Sequence, residues 1–336
     1  MRETQFSIKL TLPDWPAQEQ HREISESIIT LWEQIGEHFK RIPIITHLGD
    51  ISIDIDWEPA ITTVKKDYIV VHNHKIPAEG YPEWDGYVKA MCYSSFDVED
   101  ETSVRFICHY IENYFYYLFL GLNISSPGAF SLYNTKIEFA GKTIDFKLDS
   151  GYFFHGWMSA IDHGWPSIKN IPIINSMDWV QRLNIGTKQI ARNRMERVLF
   201  ALLNLSQQPD FSPMSLIWLA HSLEALFDTP SESVSKVLKE RIFLTLGEPK
   251  NNTKVIKKAL NEFYGLRSRF VHGDFPINLP GNNTVFDDEL WSYFEELNES
   301  ESFALSIIIA LLQKLVLNSW TDIQFFEVFS GAQNGV

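Results

Sequence analysis

Arg267 and His272 are the side chains of this sequence whose types and spacing best suit chemistry. They lie in the segment Phe263-Tyr264-Gly265-Leu266-Arg267-Ser268-Arg269-Phe270-Val271-His272-Gly273-Asp274. Ile256, Leu260, Phe263 and Phe270 recur at helical spacing, and Arg267 fills the gap in that series. At about 100° per residue, Arg267 falls near the middle of the apolar stripe. An uncompensated buried charge costs several kcal/mol, so an internal carboxylate, a partner subunit or a phosphate must meet it. Arg269 falls about 120° or more from the stripe and is expected to be solvated, within reach of a simple surface pair with His272. On an unbroken helix His272 would sit about 140° from Arg267. Gly273 marks the helix end, so the imidazole is expected to swing towards Arg267. Arginine stays charged and can grip an oxyanion in a bidentate way. Histidine, with a reference pKa near 6.5, can take or give a proton at neutral pH.

The elements that must position these groups are helices. Ser212-Pro213 offers an N-cap followed by proline at the first helical position. Thr229-Pro230-Ser231-Glu232 repeats that signature, with Glu232 set for a capping box. Asn252-Thr253 opens a third helix, which runs to Gly273. Phe303 to Trp320 forms a fourth, and another precedes Ser206. Short connections between such helices imply an antiparallel bundle. The first half is mixed. Ser7 to Leu12 and Ile51 to Trp57 alternate as strands, and Tyr68 to Val71 reads as another. Glu23 to Phe39 and Thr102 to Leu120 read as helices. Lys136–Phe139 and Thr143–Phe146 read as a hairpin with Gly141 in its turn. The expected organisation is an α+β sensory or regulatory domain over residues 1–165, followed by an all-α helical bundle over 178–325.

Charge is distributed unevenly. The formal net charge of −14 argues against a general nucleic-acid-coating surface. Residues 178–273 nevertheless carry 14 basic and 9 acidic side chains, between an N-terminal part at −10 and a C-terminal part at −9. A basic segment inside an acidic chain suits a confined anion site, although ordinary solvated helix faces give the same count. Cys92 and Cys108 are too few for a disulfide framework or a thiolate zinc site, which suits a reducing cytoplasm. The apolar run Phe303–Leu317 is too short to span a bilayer comfortably and reads as a core helix, so no membrane association is expected.

Three segments in order carry a family resemblance. Ile217 to Phe227 contains Leu223-Glu224-Ala225-Leu226; Leu238-Lys239-Glu240-Arg241 follows; Phe263 to Gly273 supplies tyrosine, arginine, serine, histidine and glycine in spaced order. Together, over about residues 210–275, they resemble the Apea-like branch of the HEPN ribonucleases. The resemblance implies an all-α HEPN domain in a homodimer, with arginine and histidine of both protomers lining a cleft at the two-fold axis. It implies metal-independent endoribonuclease activity on an RNA substrate, without a cofactor, in a toxin or antiviral defence effector. The site residues it implies are Arg267, His272, Ser268 and Glu224. Ser268 stands where many HEPN members carry Asn, Asp or His. Glu224 would orient Arg267 or form a structural pair with Arg241. The implied partners are a phage-derived trigger or an antitoxin. A non-catalytic HEPN module that dimerises or docks a partner, and the HEPN half of a toxin–antitoxin pair, are the alternatives.

Other signals carry less. His72 and His74 would share a strand face but lack a third ligand, so no metal site is expected. His155, Asp162 and His163 lie in an aromatic stretch that reads first as packing. Phe106, Tyr110, Tyr114 and Tyr117 recur at helical spacing and read as a core stripe rather than a base-stacking platform.

Overall fold

The computed structural model describes residues 2–10, 22–46, 49–72, 87–96, 100–132, 135–183, 188–208, 212–230, 234–279 and 287–326. Alternation builds the first layer. In β3 (Gly49–Ile55), Ile51, Ile53 and Ile55 point into the core while Ser52 and Asp54 stay partly wet. The central strand is β1 (Arg2–Lys9), which begins earlier than its alternation suggests and pairs antiparallel on both sides. With β2 (Arg41–Thr46), β4 (Tyr87–Ser94), β5 (Thr135–Phe139) and β6 (Lys142–Phe146), it forms an antiparallel sheet ordered β2-β3-β4-β1-β5-β6. The β5–β6 hairpin turns at Ala140 and Gly141, both at positive φ (47° and 76°). That is the handedness that matches strand twist, and only Gly141 adopts it without steric cost.

Two helices, α1 (Arg22–His38) and α2 (Glu58–His72), pack on each other and share the sheet's core. Trp32 and Trp57 meet edge to face at 6.4 Å, and the Trp32 indole donates to the Ala129 carbonyl at 2.9 Å. The strand expected at Tyr68–Val71 is instead the last part of α2. Ala60, Ile61, Val64 and Asp67 are buried at helical spacing, whereas Ile69 is 54% exposed. The longer amphipathic pattern overrides the short β-branched run.

Passage from sheet to helices is made by α3 (Glu101–Ser125). Asp100 caps it by accepting from the Thr102 and Ser103 amides. Its final turns, Leu118 to Ser125, are buried on every side. The helical remainder comprises α4 (Gly151–His163), α5 (Ile173–Arg182), α6 (Arg194–Leu205), α7 (Pro213–Leu226), α8 (Val234–Leu246), α9 (Thr253–His272) and α10 (Asp288–Leu317). The fold is therefore mixed, an N-terminal antiparallel sheet with helices followed by a mostly helical part.

Helix α10 organises this part. It begins at Asp288, well before the expected Phe303, with Asp287 accepting from the Leu290 amide at 2.8 Å. Its early turns are rich in glutamate, but Leu290, Phe294 and Leu297 recur there at helical spacing. By length and composition α10 could cross a membrane, but 89% of its apolar window is buried within the fold. Gly156 of α4 lets the two helices approach, since a Cβ there would lie 3.1 Å from Ile309 and 3.2 Å from Leu305. Gln313 interrupts the apolar run for a reason. Its buried amide donates to the carbonyls of Ile124 (2.9 Å) and Lys169 (2.7 Å), tying α10 to the end of α3.

Ser212 caps α7 with Pro213 following, as expected. Asn252 precedes α9 but makes no side-chain cap; it sits at φ 62°, a left-handed conformation that asparagine tolerates. The expected capping box at Glu232 lies outside the described residues.

Candidate functional site

The core face of α9 is made by Ile256, Leu260, Phe263 and Leu266, against α7, α8 and α10. The expectation that Arg267 occupies the middle of the buried stripe needs correction. Leu266 fills the core at that turn, and the Arg267 side chain remains 35% exposed. A long guanidinium stem can lie on apolar surface while its head reaches towards solvent. The head remains poorly satisfied. Arg267 Nε is buried without a hydrogen-bond partner, and Nη2 lies 3.8 Å from Glu224 Oε1, beyond hydrogen-bond length. So loose and partly exposed a pair contributes little stability.

Tyr264, one turn earlier, adds a second unsatisfied group. Its hydroxyl is buried without a partner. Burial pushes its pKa up, the Glu224 carboxylate adds to the rise, and Arg267 opposes it. Tyr264, Arg267 and Glu224 thus share one electrostatic neighbourhood between α7 and α9. Tyr264 is a part of the arrangement to which sequence reasoning gave no role. Its position three residues before Arg267, on the same helix face, is the signal that could have revealed it.

The structural pair expected between Glu224 and Arg241 is not formed. Arg241 donates to the carbonyl of Phe227 at 2.9 Å and to that of Asp228, and its guanidinium lies 4.6 Å over the Phe325 ring. It satisfies the C-terminal carbonyls of α7, where a cation is favoured. Glu224 is left to face Arg267.

Arg269 is exposed, as expected, but its surface partner is not His272. It donates to Glu296 of α10 at 3.1 Å and lies 5.2 Å over the Phe275 ring. Ser268 is exposed. The helix ends where Gly273 suggests, with Gly273 at φ 82° and the Asp274 amide bonded to the Arg269 carbonyl at 2.9 Å. His272, however, is still the last helical residue and is exposed. It therefore lies about 140° around α9 from Arg267 and does not swing onto that face. One chain brings Arg267 and Glu224 together but leaves His272 and Ser268 on other faces.

On the opposite side of Arg267, a cleft of about 830 Å³ separates α4, α9 and α10. His155, Asp162 and His163 line it, together with Arg269 and Glu296. Burial pushes the His155 pKa down, with Asp149 opposing. The His163 ring makes a 2.9 Å contact through Nδ1 with the Ser159 carbonyl. Among the described residues no three His, Cys, Asp or Glu side chains converge as metal ligands would. His72 ends α2 rather than sharing a strand face, and His74 lies outside the described residues. Burial pushes the Cys92 thiol up to about 12, so it is a core group rather than a nucleophile. The stripe of α3 that fills the core is Val104, Ile107, Ile111, Phe115 and Leu118. The expected Phe106, Tyr110, Tyr114 and Tyr117 are only partly buried, the Tyr117 hydroxyl donating to the Met177 carbonyl at 2.6 Å. No protein family, curated protein or solved structure matches this chain, so the reading of its site rests on its own residues.

Proposed function

We propose that this chain is a metal-independent endoribonuclease of the HEPN type, acting as a toxin or antiviral defence effector. The observation that carries the proposal is the state of Arg267. A part-exposed guanidinium whose one carboxylate neighbour is held off at 3.8 Å has unused donors for an anion. A phosphodiester supplies that anion. Arg267 holds the non-bridging oxygens and stabilises the charge that grows on them. A histidine accepts the proton of the RNA 2′-hydroxyl as that oxygen bonds to phosphorus. The bond from phosphorus to the 5′-oxygen breaks, and a second histidine protonates the leaving oxygen.

His272 sits about 140° from Arg267 on the same helix, so two copies of the chain related by a two-fold axis are required. Each copy contributes one His272 to a shared cleft, giving the base and the acid. Glu224 and Tyr264 act as positioning groups for Arg267. The expected products are a 2′,3′-cyclic phosphate and a 5′-hydroxyl. The test is the purified full chain incubated with single-stranded RNA and DNA in excess chelator, with end-group analysis of the fragments. The proposal expects cut RNA, intact DNA and the cyclic end. A 5′-phosphate product, or activity abolished by the chelator, would overturn it.

The same 140° separation favours one other reading, a non-catalytic HEPN module in which Arg267 anchors a partner protein. Under that reading the biological activity survives His272→Ala and no RNA is cut.

A further inference from the structure

A second cleft, apart from Arg267, opens between α3 and α6. It encloses about 290 Å³, at the small end of ligand-binding cavities. Its apolar walls are the rings of Tyr116, Tyr117 and Phe200 with Leu203 beside them. Carboxamides alternate with the rings: Asn113 from α3, Asn204 and Gln207 from the α6 side, and Gln189 from the segment before it.

The charged groups in these walls already have partners. Lys188 is ion-paired to Glu196, a carboxylate only 4% exposed. Glu112 accepts from the Tyr116 hydroxyl at 2.8 Å. The Lys188 charge is thus compensated, while the Glu112 carboxylate keeps its charge and disfavours an anion in the cleft. Several walls are also fixed in advance. The Tyr117 hydroxyl is bound to the Met177 carbonyl, the Asn113 amide lies 2.9 Å from the His109 ring, and the Asn204 amide donates to the Phe200 carbonyl at 2.8 Å. Such preorganisation lowers the ordering cost of binding.

We infer that this cleft binds a neutral planar heterocycle carrying adjacent hydrogen-bond donors and acceptors, namely the base of a free nucleoside. Aromatic faces stack on such a ring whatever its identity. Gln189 and Gln207 each carry a donor and an acceptor side by side, as the edge of a nucleobase does. The cavity has room for one such ring system, and its cation is engaged by Glu196, so phosphate adds nothing to recognition.

Isothermal titration calorimetry of the full chain with adenosine, guanosine, cytidine and uridine tests this. At least one nucleoside is expected to bind saturably, one per chain, at up to millimolar concentration. In an Arg267→Ala background, which removes the phosphate site proposed above, the 5′-triphosphate of that nucleoside and a tetranucleotide carrying the same base are expected to bind no more than about threefold tighter. Asn204→Ala, at an exposed position, and Phe200→Leu, which keeps an apolar wall, should each weaken binding about tenfold. Thermal melts check that both variants stay folded, and Gln207→Ala replaces either one that does not. The inference is overturned if no nucleoside binds, or if the folded variants bind as the wild type does. It is equally overturned if, in the Arg267→Ala background, the triphosphate or the tetranucleotide binds more than about threefold tighter, since that gives the cleft itself a phosphate site.

Discussion

The start of α6 and the last turns of α9 each hold a charge that the fold partly buries, and they treat it in opposite ways. At α6, Glu196 is saturated. It accepts from Lys188, from the backbone amides of Arg192 (2.7 Å) and Asn193 (3.1 Å), and from the Asn193 side chain (2.7 Å), while Asn193 caps the helix in return. That is a reciprocal capping box extended by an ion pair. At α9, Arg267 has one carboxylate at 3.8 Å and a buried Nε with none. The saturated charge stabilises the fold and is silent towards solutes. The unsatisfied one is poorly rewarded by folding and has capacity left for a ligand.

The largest effect that would break this comparison is on activity. Arg267→Ala should lower RNA cleavage by roughly 100-fold or more, the scale of losing a donor to a developing oxyanion. Its circular dichroism and melting temperature should change little. Arg269→Ala, two residues away but held by Glu296 and Phe275, should change cleavage no more than a few-fold. Equal losses from the two variants in a cleavage assay would mean that the helix faces are assigned wrongly.

Glu196 should show the reverse profile. Glu196→Gln should cost roughly 1–3 kcal/mol in denaturant unfolding, because the variant loses the ion pair and strains the cap, while cleavage per folded molecule is kept. The Lys188 contact and the two backbone amides hold the Glu196 carboxyl near 2, below its ordinary 4.5. A depressed folded pKa contributes stability that is complete above the unfolded value and lost as pH falls through the folded one. The stability of the wild type should therefore decline between about pH 4.5 and pH 2 more steeply than that of Glu196→Gln. Parallel curves would remove Glu196 from this role.

The smallest effect concerns Tyr264. Its buried hydroxyl lacks a partner, so Tyr264→Phe should leave stability unchanged or raise it by up to about 1 kcal/mol. A clear fall in the unfolding midpoint would show that the hydroxyl is satisfied after all.

Local signals made much of this legible. The β5–β6 hairpin, the Ser212-Pro213 start of α7 and the Gly273 stop of α9 each depend on a few adjacent residues, and each stands where its residues indicate. What failed depends on distant parts of the chain. Tyr68–Val71 has strand-like residues but completes a helix because Ala60, Ile61 and Val64 already face the core. The start of α10 is the exception, since Leu290, Phe294 and Leu297 recur there at helical spacing among the glutamates. The choice of Arg267 over Arg241 as the neighbour of Glu224 was open in the sequence, because α7's terminal carbonyls compete for Arg241 only once the helices are packed. For His272, the αL glycine directly after it ends the helix one residue too late to release the ring towards Arg267.

The central claim is that Arg267 and His272 together cut RNA. It is tested most directly by cleavage of one single-stranded RNA in excess chelator, with wild type and His272→Ala compared at equal folded concentration. The account expects wild-type cleavage to a cyclic phosphate, and loss of that cleavage in a His272→Ala variant that melts as the wild type does, since the histidine is exposed at a helix end. Equal cleavage by the two proteins, or no cleavage of RNA by either, would contradict it.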